Sequence, residues 1–145
     1  MNMNQLTQKS LAAIQGAQSL AQQYGQQQIE QQHLLLALVA DQEGFIPQLL
    51  TAMGMTVPSF LAAAQAEVNK LPKVSGGGRE ADKVYVAQDV DRALNAAEET
   101  AKSMKDEYIS VEHLFLVILE KPSDNICGIL RGAGVTKEKV LEALK

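Results

Sequence analysis

Sliding the chain along itself by 80 residues lays its second half over its first without a gap, so that His33-Leu34 falls on His113-Leu114. With residues 6–65 set against 86–145, identities recur at Gln8/Gln88, Ala13/Ala93, Ala17/Ala97, Ala21/Ala101, Ile29/Ile109, Leu36/Leu116, Ile46/Ile126, Leu50/Leu130, Gly54/Gly134 and Thr56/Thr136. Ile14/Leu94, Leu35/Phe115, Leu38/Ile118 and Leu49/Ile129 are conservative pairs. What has been duplicated is a set of apolar positions, and a repeated core points to a scaffold built of two similar units.

Inside each unit the period is helical. Ala13, Ile14, Ala17, Ala21 and Tyr24 in the first copy, and Val90, Ala93, Leu94, Ala97, Ala101 and Met104 in the second, follow spacings of three and four that define one face of an amphipathic helix. A short polar stretch then leads to HLLLALV from His33 and HLFLVIL from His113. These runs are apolar on every side, and a helix of that kind is buried on every side. Alternating β-branched residues are too few for strands, and the leucine and alanine of the first run favour helix. Met53-Gly54-Met55-Thr56 and Ala133-Gly134-Val135-Thr136 mark the turn from a third helix to a fourth. Glycine can take the left-handed conformation that ends a helix, and threonine can accept the free amide hydrogens that begin the next. Ser110 is placed to cap the second buried helix where the first copy has Glu30, and Thr7 to cap the first helix where the second copy has Ala87. The expected fold is therefore all-α, two tandem pseudo-repeats of four helices, over about 6–70 and 86–145. Leu71-Pro72 and Ser75-Gly76-Gly77-Gly78 supply a connector reaching to about Tyr85.

The charge balance removes several functional classes. Thirteen Lys and Arg oppose seventeen Asp and Glu, with three cations and four anions in residues 1–74 and ten and thirteen in the remainder. Neither half clusters its cations as phosphate-tracking nucleic-acid binders do, so no nucleic-acid partner is expected. The single Cys127 excludes an internal disulfide and suits a reducing cytosol. No apolar run is long enough for a membrane span, and MNMNQLTQKS lacks the pattern of a signal peptide, so a cytoplasmic chain with no membrane partner is expected. Gln22, Gln23, Gln26, Gln27, Gln28, Gln31 and Gln32 read as a solvated surface stretch, because the apolar period continues on both sides.

No constellation in the sequence assembles a reaction centre. Two histidines at duplicate positions share a local structural role, and one thiol with two histidines falls short of a zinc ligand set. Cys127 sits in the apolar run Ile126-Cys127-Gly128-Ile129-Leu130, where a small buried side chain is the ordinary reading. Gly76 to Gly78 is followed by Arg79-Glu80 and preceded by no strand, unlike a phosphate-binding loop. Glu98-Glu99 and Asp106-Glu107 read as solvated carboxylates. No metal or cofactor in this chain and no enzymatic activity are expected. Surface recognition remains: Ala96 and Thr100 are small, one helical turn apart, and followed by Glu112 and His113 at the start of the next helix, a shallow site suited to an extended or helical peptide.

LTQKS, IEQQHLLLALV, LLTAMGM, NKLPKVSGG, YISVEHLFLVILE and ILRGAGVTKEKVLEAL together resemble the Clp N-terminal domain family, in particular its ClpB branch of AAA+ disaggregases. The likeness covers essentially the whole chain and includes the duplication and the Leu-Pro-x-Val-x-Gly connector. It implies the eight-helix fold and a mobile, non-catalytic module that engages unfolded or aggregated polypeptides for a hexameric machine. ATP, magnesium and the ring contacts would belong to AAA+ modules after residue 145, leaving the isolated domain monomeric, and the DnaK chaperone system would cooperate with the full machine. The resemblance places the peptide groove beside the second long helix, with Ala96, Thr100 and His113 in it and Thr7, Asp106 and Glu112 as polar support. ClpC relatives carry Thr-Glu-His in both repeats as a phosphoarginine site. Here Glu112-His113 keeps the acid and Gln32-His33 does not, which implies weak phosphoarginine binding because one carboxylate cannot supply the paired site. Two alternatives stand beside the disaggregase reading: a stand-alone Clp-repeat adaptor, compatible with Met1 and Lys145 as ends, and a ClpC- or ClpA-type adaptor-binding domain.

Overall fold

The computed structural model describes residues 3–41, 44–73 and 85–145. The glycine connector expected after Pro72 falls, from residue 74 to 84, outside the described residues. After a 3-10 turn at Met3–Gln5, the first repeat runs through α1 (Gln8–Gln23), β1 (Gln28–Ile29), α2 (Gln31–Ala40), α3 (Phe45–Ala52) and α4 (Val57–Asn69). The second contributes β2 (Tyr85–Val86), α5 (Gln88–Ser103), α6 (Val111–Glu120), α7 (Asp124–Ala133) and α8 (Lys137–Ala143). The eight expected helices are present. The two-residue strands were not expected, being too short to leave an alternating pattern.

Those strands reveal how the repeats are joined. Ile29 pairs with Val86 in a parallel ladder, and Leu6 pairs with Ile109 in a parallel bridge. Val86 is the counterpart of Leu6 and Ile109 that of Ile29, so the two pairings are the same contact made twice about a pseudo-twofold axis. In each, the stub before one repeat's first helix bonds to the stub before the other repeat's second helix. Thr7 N–H donates to Ile109 O at 3.1 Å, and Ala87 N–H to Ile29 O at 3.0 Å.

Helices cross the same boundary. Besides the intra-repeat pairs α1–α2, α5–α6 and α2–α4, α4 packs on α7, α2 on α6 and α3 on α6. One core results, centred on α2 and α6, where Leu34, Leu35, Leu36, Leu38 and Val39 meet Leu114, Phe115, Leu116, Val117 and Ile118, all buried. At about 1.5–3 kcal/mol for each such side chain removed from water, these two helices carry much of the fold's stability.

Local chemistry sets the boundaries. Gly54 and Gly134 both adopt positive φ, 84° and 72°, and end α3 and α7 as the turn motifs require. Thr136 Oγ1 accepts from Lys139 N at 3.2 Å to begin α8, whereas Thr56 makes no such bond at the start of α4. Thr7 caps α1 through Ser10 N at 3.1 Å. Ala87 cannot do the same for α5, but Asp89 and Asp91 lie in that helix's first turn, where carboxylates complement the helix dipole.

Candidate functional site

Both histidines are components of helix caps. His33 is the third residue of α2 and His113 the third of α6, and each ring turns back so that Nδ1 accepts the backbone N–H of the N-cap residue, Glu30 at 2.8 Å and Ser110 at 2.9 Å. Histidine thus takes the place of Glu or Gln in a capping box. Because Nδ1 is the acceptor, the neutral ring carries its proton on Nε2. That N–H donates a hydrogen bond to Gln26 Oε1 in the first repeat and to Asp106 Oδ2, 2.8 Å away, in the second. Burial pushes the His33 pKa down from 6.5 to about 4.

In the second copy Ser110 Oγ lies 3.0 Å from His113 Nδ1, so serine, histidine and aspartate stand in a row. The row is not arranged for nucleophilic catalysis. The Nδ1 lone pair that would take the serine proton already receives the Ser110 backbone N–H, and His113 is only 1% exposed.

Three members of the glutamine tract are core residues, not surface ones: Gln26, Gln31 and Gln32 are buried. Gln26 Nε2 donates to Val68 O at 2.7 Å, tying His33 to the end of α4. Gln31 reaches into the other repeat, its Oε1 accepting from Ser123 N at 2.6 Å and its Nε2 donating to Lys121 O at 3.2 Å. The polar run conceals the roles of Gln26 and Gln31 because both carboxamides are satisfied internally. Cys127, by contrast, is partly exposed, not buried.

The six residues assigned to a peptide site separate into two settings. Ala96 is exposed and lines a groove of about 340 Å³ with Gln31, Asp89, Arg92, Val117 and Lys121. Thr100 is half-buried one turn further along α5. His113 does not reach that surface, since its ring is spent inside the cap, and Asp106 is its hydrogen-bond partner. Thr7 is half-buried at the Ile109 crossing, its hydroxyl engaged with Ser10, and Glu112 is half-buried on the first turn of α6.

Sequence reasoning missed a second groove. Its volume is about 420 Å³, and it lies in the first repeat between α1, the end of α2 and the start of α3, closed at one side by Val111. It is the pseudo-twofold counterpart of the Ala96 groove: Lys9, Ala12, Gly16, Ala37, Ala40, Asp41 and Val111 correspond to Asp89, Arg92, Ala96, Val117, Glu120, Lys121 and Gln31. The alignment of the halves contained this contrast, but it sits at positions that differ, whereas the fold is read from positions that agree.

Eight helices in two intertwined four-helix repeats, each with a histidine capping box and a surface groove, define a duplicated all-helical domain. The Clp repeat (R) N-terminal domain profile matches residues 5–133, and the chain belongs to that family. It is 38% identical to the chaperone protein ClpB of Nitratidesulfovibrio vulgaris, an alignment covering 100% of this chain and 17% of that protein. The chain thus spans about a sixth of the length of such relatives. The fold superposes on the Hsp104 N-terminal domain from Candida albicans with a TM-score of 0.82 at 21% identity, covering 97% of this chain and 89% of that one. A complex of the ClpV N-domain with a VipB peptide matches with a TM-score of 0.73 at 14% identity, over 97% and 89% of the two chains. Among the described residues no helix is long and apolar enough to cross a membrane, and no group of three His, Cys, Asp or Glu side chains could hold a metal ion.

Proposed function

We propose that this chain is the substrate-docking domain of a ClpB-type disaggregase, holding exposed apolar segments of unfolded or aggregated proteins weakly before they pass to ATP-driven modules. The observation that carries the reading is the likeness, over the whole chain, to the N-terminal region of ClpB chaperones. The open groove beside Ala96 supports it, as does the peptide bound by a structurally similar N-domain. Docking here is reversible and involves no chemistry in this chain. ATP and magnesium belong to the rest of the machine, as do hexamer formation and cooperation with the DnaK system, and the setting is the cytoplasm. Weak contact suits a module that hands its client on, since several copies in one ring raise the effective concentration without a tight single site. Ala96 and Thr100 form the contact surface, Thr7 and Glu112 supply polar groups at its margin, and His113 with Asp106 holds the start of α6 in place.

Titrating a chemically unfolded model protein into the isotope-labelled domain while following amide shifts tests this. Saturable shifts around Ala96, Thr100 and Glu112 are expected, and a spectrum unchanged at millimolar protein would remove the reading. ClpV N-domains share the fold, so an adaptor or a stand-alone module is the competing reading. A Gly-x4-Gly-Lys-Ser/Thr motif encoded within roughly the next hundred residues would decide for the ATPase.

A further inference from the structure

The pseudo-twofold axis provides an internal control, because it generates two grooves on one backbone plan and fills them with different chemistry. The second-repeat groove carries four ionisable side chains, Asp89, Arg92, Glu120 and Lys121. The first-repeat groove presents Ala12, Gly16, Leu20, Ala37, Phe45 and Val111, and among the described residues its charges are Lys9 and Asp41 on the rim. Those two face each other at 3.4 Å. We propose that the first-repeat groove is a second docking site, and that it takes a neutral apolar segment of a partner polypeptide. The proposal rests on the docking reading above and adds where the apolar part of a client sits and what that site refuses.

Shape and charge both select this occupant. At about 420 Å³ the groove falls within the roughly 300–1,000 Å³ typical of sites that enclose an organic ligand. It is open because the first repeat lacks side-chain volume that the second supplies for itself: Ala12 stands where the other copy has Arg92, Gly16 where it has Ala96, and Ala37 where it has Val117. A Cβ built on Gly16 would meet only Ala37 Cβ, at 3.5 Å, so the floor is a smooth helix surface with no obstruction. Phe45, 42% exposed at the start of α3, forms an apolar wall facing solvent. Among the described residues a charged occupant would find Lys9 and Asp41 already neutralising one another, and it would be desolvated against alanine and leucine. A segment of leucine, valine and alanine replaces water on both surfaces at once.

Two capped ten-residue peptides test this, one with leucine, valine and alanine at its centre between serine and glutamine ends, the other with a central lysine and glutamate in place of two leucines. The neutral peptide is expected to shift the amides of Gly16, Ala37 and Phe45 saturably, and the charged one to bind at least tenfold more weakly. Ala12→Arg, which imports the second repeat's residue at an exposed helix position, should weaken the neutral peptide at least tenfold, whereas Ala96→Arg changes it less than twofold. Phe45→Ser, which removes the wall, provides a second variant, and the melting temperature of each variant checks its fold. Unchanged affinity in both Ala12→Arg and Phe45→Ser, or equal binding of the two peptides, overturns the proposal. So does a shift of the same amides with protein concentration alone, which would make a second copy the occupant. If an unfolded protein moves Ala96 and Thr100 while the neutral peptide leaves Gly16 still, this inference falls and the docking function stands. If neither probe moves any amide, both fall.

Discussion

His113 donates its Nε2–H to the carboxylate of Asp106, 2.8 Å away, while its counterpart His33 donates the same hydrogen to the carboxamide oxygen of Gln26. One cap has thus been built twice with outer partners of different charge and exposure. The Asp106 side chain is 48% exposed, whereas Gln26 is buried and also holds Val68 O.

Removing the rings should therefore have unequal effects. His33→Ala strands the Gln26 carbonyl in the core and breaks the cap, at a cost of about 3 kcal/mol. His113→Ala leaves a carboxylate that turns to water, and the loss is about 1–2 kcal/mol. Urea unfolding of both variants at pH 7 measures the difference, and equal losses would mean that the outer partners contribute nothing.

Acid should act through the first cap. Since the His33 pKa lies near 4 in the folded chain and near 6.5 when the ring is in water, the unfolded chain holds the extra proton between those values. Stability therefore rises with pH in that interval: the contribution is complete above about 6.5 and is lost as pH falls toward 4. A protonated ring could no longer accept the Glu30 N–H, so the start of α2 loosens first. Urea midpoints at pH 7, 5.5 and 4.5 should fall in that order, and the slope should be shallower in His33→Ala.

Gln31 bonds to the far repeat's backbone through both ends of its carboxamide, to Ser123 N and Lys121 O. Gln31→Leu keeps the bulk and leaves both backbone groups unpaired, which costs about 2–4 kcal/mol. Urea unfolding gives the loss. Hydrogen exchange at the Ser123 amide should accelerate well beyond the global change, because the turn between α6 and α7 loses its anchor.

Which features were legible in the sequence follows from how far each depends on distant residues. The buried α2 and α6 announce themselves by composition alone, and Gly54 and Gly134 by position, because each of these properties is local. Gln26 and Gln31 could not be recognised as core residues, because their partners lie 42 and 92 residues away in the chain and a carboxamide looks the same whether water or a carbonyl satisfies it. Spacing and resemblance both put His113 at a peptide surface, but its bond to Ser110 N is a matter of ring orientation that no spacing reveals. Ala96 was correctly read as exposed, yet its groove has a larger and more apolar twin whose signature, small residues at Ala12, Gly16 and Ala37, is indistinguishable in one sequence from ordinary helix packing.

Three glycines should respond differently to alanine. Gly16 lies inside α1 with ordinary contact distance for a new Cβ, so Gly16→Ala is expected to stabilise by up to about 1 kcal/mol through helix propensity. Gly44 has Asp41 O only 2.9 Å from the position of its Cβ, and Gly44→Ala must displace backbone, lowering stability. Gly54→Ala meets open space but holds φ at 84°, and loses about 1 kcal/mol to strain. Thermal unfolding of the three variants should rank Gly16→Ala above the wild type and the other two below it.

The second repeat also supplies a repair for the first. Glu30 caps α2 with a carboxylate whose pKa is raised, first by burial and then by the charge of Asp89 in the first turn of α5. A carboxyl group with a raised folded-state pKa binds its proton more readily folded than unfolded, so it opposes folding increasingly as pH climbs through 4.5 and the folded-state value. Ser110 does the same capping in α6 without a charge. Glu30→Ser should therefore keep the capping box, remove the repulsion from Asp89 and stabilise the domain by about 0.5–1 kcal/mol at pH 7. The gain should shrink below pH 4, where Glu30 is already neutral in the parent. A melting temperature that rises at pH 7 and coincides with the parent's in acid is the expected pair of results. A loss at both pH values would mean that the glutamate contributes more through its longer reach than it costs through its charge.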